Sequence, residues 1–213
     1  MKNTPKKKNN TTNKLTILIV AAAAILVAVI IISALQSSHA QAPASVPGTS
    51  SAPGSLSTGF VVPSFSAMDL HGNTVDNSFF AKQRLTMVNV WGTFCGPCIR
   101  EMPDLAQLPS AFPSSDFALL GIVADTNFQR TDANKATEDT ARQQMSTAGA
   151  TYTSIIPDAS ILQNVLSSVS VVPTTFFVDR TGTVVGQILT GSKSKAQWIS
   201  IIQSMLASLP AGS

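Results

Sequence analysis

Cysteine, histidine and charge are all scarce in this chain: its 213 residues include two cysteines, two histidines and one tyrosine, and 12% are charged. Structural zinc takes about four ligands. Beyond the cysteines the chain offers only His39 and His71, far apart in differently composed segments, which argues against a metal centre. No Cys-x-x-Cys-His motif occurs, because Ile99 follows Cys98, so the chain carries no attached haem. Nor is there a basic footprint for nucleic acid. Five lysines (Lys2, Lys6, Lys7, Lys8, Lys14) precede the first apolar run, leaving nine Lys and Arg against eleven Asp and Glu, a net charge of −2, in the remainder.

Charge is missing altogether from Leu15 to Leu35. At 1.5 Å per residue this run spans about 31 Å, the thickness of a hydrocarbon core. With the lysines on its N-terminal side, the positive-inside rule predicts a cytoplasmic tail over 1–14, a transmembrane anchor over 15–35, and everything after it outside the cytoplasm. A cleaved signal peptide is the alternative, with Ser38-His39-Ala40 as the cut site; its apolar core would be shorter, which favours the anchor. No cysteine follows the run, which excludes a lipoprotein anchor. Residues 36–59 are Ser, Ala, Pro and Gly with almost no large apolar side chain and read as a linker, reaching about 25–30 Å if flexible. Residues 60–213 suit one compact domain.

Both cysteines fall in one stretch, Trp91-Gly92-Thr93-Phe94-Cys95-Gly96-Pro97-Cys98. A strand-like run, Leu85 to Trp91, leads in and a helix-like run, Ile99 to Leu108, leads out. The thiols are therefore expected on a strand-to-helix turn, where unpaired N–H groups and the macrodipole favour a thiolate. A purely structural disulfide here would close a loop so short that chain entropy contributes only about 2 kcal/mol. A peroxide-reducing cysteine of the peroxiredoxin type would be preceded by P-x-x-x-T-x-x-C, and Val88-Asn89-Val90-Trp91-Gly92-Thr93-Phe94 does not fit it. Thiol–disulfide exchange is the reading that remains.

Across the domain, apolar runs predict a hairpin (Phe65–Asp69 and Thr74–Val75 about His71-Gly72-Asn73), then alternating elements. These are strand Leu85–Trp91, helix Cys98–Ser110, strand Phe117–Ala124, a polar helix near Lys135–Thr147, strand Ser154–Ile156 and helix Ser160–Leu166. Strands Thr174–Asp179 and Thr183–Leu189 and a helix Lys195–Leu209 complete the series, giving βαβ followed by antiparallel ββα. Trp198, Ile201, Ile202, Met205 and Leu209 recur at helical spacing and are expected in the core.

The Trp-Gly-Thr-Phe-Cys-Gly-Pro-Cys stretch, Glu101-Met102-Pro103 after it, and Val172-Pro173-Thr174 further on resemble the TlpA/ResA-like branch of the thioredoxin superfamily. So do the hairpin with Asp69 and Gly72 and the extra helix around Asp132–Ala148. The resemblance covers roughly Val62 to Leu209. It implies an α/β thioredoxin-like fold, a central mixed sheet flanked by helices, with an N-terminal β-hairpin and an inserted helix, preceded here by one transmembrane helix.

The resemblance also implies an extracytoplasmic thiol–disulfide oxidoreductase without cofactor, its redox group the Cys95–Cys98 pair. Its clients would be exported proteins carrying disulfides, such as apocytochrome c or an extracellular methionine sulfoxide reductase, and its electrons would come from a membrane donor related to DsbD or CcdA. Residue by residue, Cys95 matches the family's exposed attacking thiol and Cys98 its buried resolving thiol. Glu101 matches an acid near the pair, and Pro173 a cis-proline facing the disulfide. Trp91, Phe94, Gly96, Pro97, Val172 and Thr174 are expected around the substrate chain. Asn89 stands where cytosolic thioredoxins carry a buried Asp, so any proton handling falls to Glu101; a plain helix-terminus role for Glu101 is the alternative. Trp91 as packing and Phe94 as a groove wall are equally open. Gly96 and Pro97 match the thioredoxin dipeptide and favour a reductant over a disulfide-forming oxidase. A binding or chaperone-like module with an incidental disulfide is the reading from another class.

Overall fold

A computed structural model describes residues 56–209. The tail 1–14, the apolar span Leu15–Leu35 and most of the linker lie outside the described residues; among those described, no helix is long and apolar enough to cross a membrane.

Seven strands form one mixed sheet in the order β2-β1-β5-β4-β3-β6-β7. They are β1 (Ser66–Asp69), β2 (Thr74–Asp76), β3 (Leu85–Trp91), β4 (Phe117–Val123), β5 (Thr153–Ile156), β6 (Thr174–Asp179) and β7 (Val184–Thr190). β3, β4 and β5 run parallel, whereas β6 and β7 on one side and the β1–β2 hairpin on the other are antiparallel. The sequence predicts the hairpin but not its place: β1 pairs with β5 and so extends the main sheet. Asp69 closes the hairpin turn, its carboxylate accepting the N–H groups of His71 and Asn73.

Every residue of β3 is buried, because it lies between β4 and β6 with helices on both faces. Met87 and Trp91 pack with Met102 and Leu105 of α1 (Gly96–Leu105), Ala141 and Met145 of α2 (Asp132–Thr147), and Trp198 and Ile202 of α4 (Lys195–Ser208). On the opposite face Val88 and Val90 pack with Phe80, with Ile161 of α3 (Ala159–Asn164), and with Val165. Residues alternate between these faces because strand periodicity is two.

Two helices differ from the residue pattern in where they begin or end. The first helix begins at Gly96, with Cys95 as its N-cap, and stops at Leu105 rather than Ser110. Pro103 inside it and Pro109 beyond it bring no N–H, and Gln107 and Leu108 bond three residues back, tightening the last turn before a 3-10 turn at Pro109–Ala111. The inserted helix starts at Asp132, where the resemblance puts it and three residues before the start read from the residue pattern, because the Thr131 side chain accepts the Asn134 N–H and caps it.

Candidate active site

β3 delivers Trp91 to the carboxyl edge of the parallel strands, the edge at which sites in open α/β sheets form. The chain turns there, Cys95 N–H donating to Gly92 O at 3.0 Å, and enters α1. A Cβ on Gly92 would meet the Phe94 ring at 2.7 Å, so glycine is what lets that ring lie against the turn.

Cys95 and Cys98 are joined by a disulfide, with their Cα atoms 5.3 Å apart. The Cys98 backbone N–H points at Cys95 Sγ at 3.2 Å. It is one of the unpaired donors of the first helical turn, so in the reduced protein it supports negative charge on Cys95. Sequence reasoning expects Cys95 exposed; instead both cysteines are buried, at 5% and 2% exposure. The reason is the loop before β6. Its Val172 carbonyl oxygen sits 3.5 Å from Cys95 Sγ, a contact rather than a hydrogen bond because a disulfide has no S–H.

The Val172–Pro173 bond is cis. Pro173 is buried and its carbonyl accepts the Gly191 N–H at 2.9 Å, tying this loop to the turn after β7. Val172 is half-buried, and Gly96, Pro97 and Phe94 are exposed, Phe94 at 73%. Phe94, Ala124, Leu166, Val169 and Val172 line an open cavity of about 430 Å³ beside the pair, with no charged residue in its wall.

Two expected substrate contacts are corrected. Trp91 has no exposed surface, and its Nε1–H donates to Ser154 Oγ at 3.1 Å, so it is packing and not a groove wall. A Cβ on Gly121 would meet Ser154 Oγ at 2.5 Å, so that strand position leaves the room this pair needs. Thr174 is buried too, its hydroxyl donating to Val171 O at 2.6 Å; it shapes the loop from inside.

Glu101 lies one helical turn after Cys98, on the same face of α1, at 4% exposure. Its Oε2 accepts the Lys193 backbone N–H at 2.9 Å, and its Oε1 faces Asn89 Nδ2 at 3.4 Å, which also donates to Thr175 Oγ1 at 3.0 Å. Burial pushes the Glu101 carboxyl above its ordinary value; the Lys193 and Asn89 bonds and the Trp198 indole oppose that only in part. Trp198 Nε1 makes no hydrogen bond of normal geometry. The buried Tyr152 hydroxyl is likewise pushed up, by burial first and by the Glu101 charge second.

Sequence reasoning misses four residues of this site: Asp125, Gln144, Thr175 and Lys193. Asp125 accepts the Thr93 N–H and Gln144 donates to the Thr93 carbonyl. The available signal for Asp125 was a carboxylate placed just past a parallel strand next to β3; the other three carry none. Among the described residues, no three His, Cys, Asp or Glu side chains group as metal ligands.

A mixed sheet with a cysteine pair at the N-terminus of the helix following its central strand defines a thioredoxin-like thiol–disulfide oxidoreductase, whose redox group is the pair itself. Residues 58–187 match the AhpC/TSA family, and the chain belongs to it. The thiol–disulfide oxidoreductase ResA of Geobacillus kaustophilus (strain HTA426) is 28% identical over 140 residues, 66% of this chain and 73% of the relative. That of Bacillus anthracis is 26% identical over 144 residues, 67% and 75% of the two chains. Among solved structures, a thioredoxin-family thiol:disulfide interchange protein from Chlorobium tepidum TLS superposes with a TM-score of 0.56 at 25% identity, covering 70% of this chain and 97% of that one. A putative thiol:disulfide interchange protein DsbE from Chlorobium tepidum gives 0.57 at 23% identity over 71% and 99%, a likeness of fold. The chain is thus a thioredoxin-like thiol–disulfide oxidoreductase working through the Cys95–Cys98 pair.

Proposed function

We propose that this enzyme is a membrane-anchored, extracytoplasmic reductase of disulfides in exported proteins, and that Glu101 manages the proton of the resolving thiol. The observation that carries the reading is the burial of Glu101 against Asn89, one turn after Cys98. Asn cannot take a proton, so this carboxyl, with its proton affinity raised by burial, is the group of the polar pair that can.

The Cys95 thiolate attacks one sulfur of a client disulfide, forming a mixed disulfide and releasing the first client thiolate. Glu101 accepts the Cys98 proton. The Cys98 thiolate then attacks Cys95 Sγ, the second client thiolate leaves, and the Cys95–Cys98 disulfide results; two electrons have passed to the client. Val172 offers its backbone carbonyl to the client chain beside Pro173, and the uncharged cavity next to Phe94 receives an apolar client side chain. Such an enzyme outside the cytoplasm needs a supply of electrons, and a membrane donor related to DsbD or CcdA fits the anchor read from Leu15–Leu35. Apocytochrome c and an extracellular methionine sulfoxide reductase are clients of the right chemistry.

Equilibration of the pair with dithiothreitol or glutathione separates reductase from oxidase. A midpoint near the thioredoxin value of about −270 mV is expected, and one near about −120 mV, that of a strong oxidant, would overturn the assigned direction. The anchor is tested in the native cells. The protein should fractionate with membranes, and protease added from outside should cut within residues 36–59 and release an active domain. A mature N-terminus at Gln41 in the culture fluid would replace the anchor with a cleaved signal peptide.

A further inference from the structure

Thr93, two residues before the attacking cysteine, has every polar group occupied. Its N–H faces both Asp125 carboxylate oxygens at 3.1 Å, its hydroxyl donates to Asp125 Oδ2, and its carbonyl accepts Gln144 Nε2 at 3.0 Å. The N–H belongs to the peptide plane before Thr93 and the carbonyl to the plane joining it to Phe94. Holding both planes fixes where the chain points as it reaches the exposed Phe94 ring. Asp125 follows β4, whereas Gln144 comes from the inserted helix α2, 51 residues away in the chain.

Gln144 is a costly residue for architecture alone. Its Oε1 is buried with no hydrogen-bond partner, a state that an apolar side chain of the same length would avoid. Nor does α2 need it to dock, because Ala141 and Met145 already bury that face in the core. What Gln144 adds is a grip on the active-site turn.

We propose that Gln144 is a positioning residue for protein clients: by holding the Thr93 carbonyl it sets the direction in which Phe94 meets a client chain beside Cys95. The proposal rests on the exchange activity and not on its physiological direction, so catalysis of insulin disulfide reduction with a chemical reductant tests it whichever way the enzyme runs in the cell.

In the full-length protein, Gln144→Met keeps the side-chain length and removes the donor. The expected result is a KM for insulin about fivefold higher, the loss of one hydrogen bond's worth of order, at nearly unchanged kcat. Turnover of bis(2-hydroxyethyl) disulfide, too small to touch Phe94, should stay as in the parent, as should the midpoint potential. Gln143→Met, on the exposed neighbouring position, should change nothing. Gln144→Glu faces the Thr93 carbonyl with acceptors only at neutral pH and should raise the insulin KM at least as much. An unchanged insulin KM in both Gln144 variants overturns the proposal, as does an equal loss toward insulin and the small disulfide. Failure of both variants to fold also overturns it, because the contact would then serve architecture.

Discussion

The Val172 carbonyl oxygen stands 3.5 Å from Cys95 Sγ, across 77 residues of sequence. One wall of the reactive sulfur is therefore backbone, presented by a loop that the buried Pro173 and the Thr174 hydroxyl hold in shape. In the proposed reaction a client chain would meet the sulfur and a peptide group side by side, an arrangement suited to an extended segment around a disulfide.

The order of attack can be read from trapped complexes. Cys98→Ala should accumulate a mixed disulfide between Cys95 and its clients, visible on non-reducing gels, whereas Cys95→Ala should form none. Equal trapping by both variants would reverse or dissolve the assignment of roles.

Glu101 makes two linked predictions. Its carboxyl is raised in the folded protein above the ordinary 4.5, so the folded state prefers it protonated. That contribution is fully present below pH 4.5 and is lost as pH rises through the raised value. Glu101→Gln should therefore melt higher than the parent at neutral pH, with the difference closing in acid. Its reduction of clients should nevertheless be slower, and the corresponding inflection should vanish from the pH–rate profile. A variant no more stable at pH 7 and fully active would leave Glu101 as a helix-terminus acid.

The two aromatic residues flanking the turn should respond oppositely to truncation. Trp91→Ala removes a fully buried side chain and its bond to Ser154 and should cost about 3–5 kcal/mol in urea unfolding. Phe94→Ala removes a ring that is 73% exposed and should change stability by no more than about 0.5 kcal/mol while raising the KM for protein clients. A large loss of stability from Phe94→Ala would move that ring from the docking surface into the fold.

Local signals reached far in this chain. The limits of β3 and β6 and the apolar stripe of α4 agree with the pattern of side chains, because strand and helix periodicity is written in neighbouring residues. The cysteine pair at a strand-to-helix turn was legible for the same reason. The Glu101 position in the first turns of α1 also follows from spacing alone, although its burial does not. That burial depends on Asn89 of β3, Trp198 of α4 and Lys193 of the loop before α4.

The sequence by itself thus determined the reactive pair, the helix that carries it and the order of elements, since each depends on residues a few positions apart. Only the tertiary structure decided that Trp91 is core and Phe94 surface. Aromatic residues three positions apart carry the same apolar signal, and their fates differ because Ser154 arrives to accept from the Trp91 indole while the Phe94 ring is left largely exposed. It alone closed the Val172 carbonyl over Cys95, joined β1 to β5, and brought Asp125 and Gln144 to opposite sides of Thr93. Contacts across 32 and 51 residues leave no periodic trace in the chain, because what specifies them is the pairing of strands and the docking of a helix rather than any neighbour in sequence.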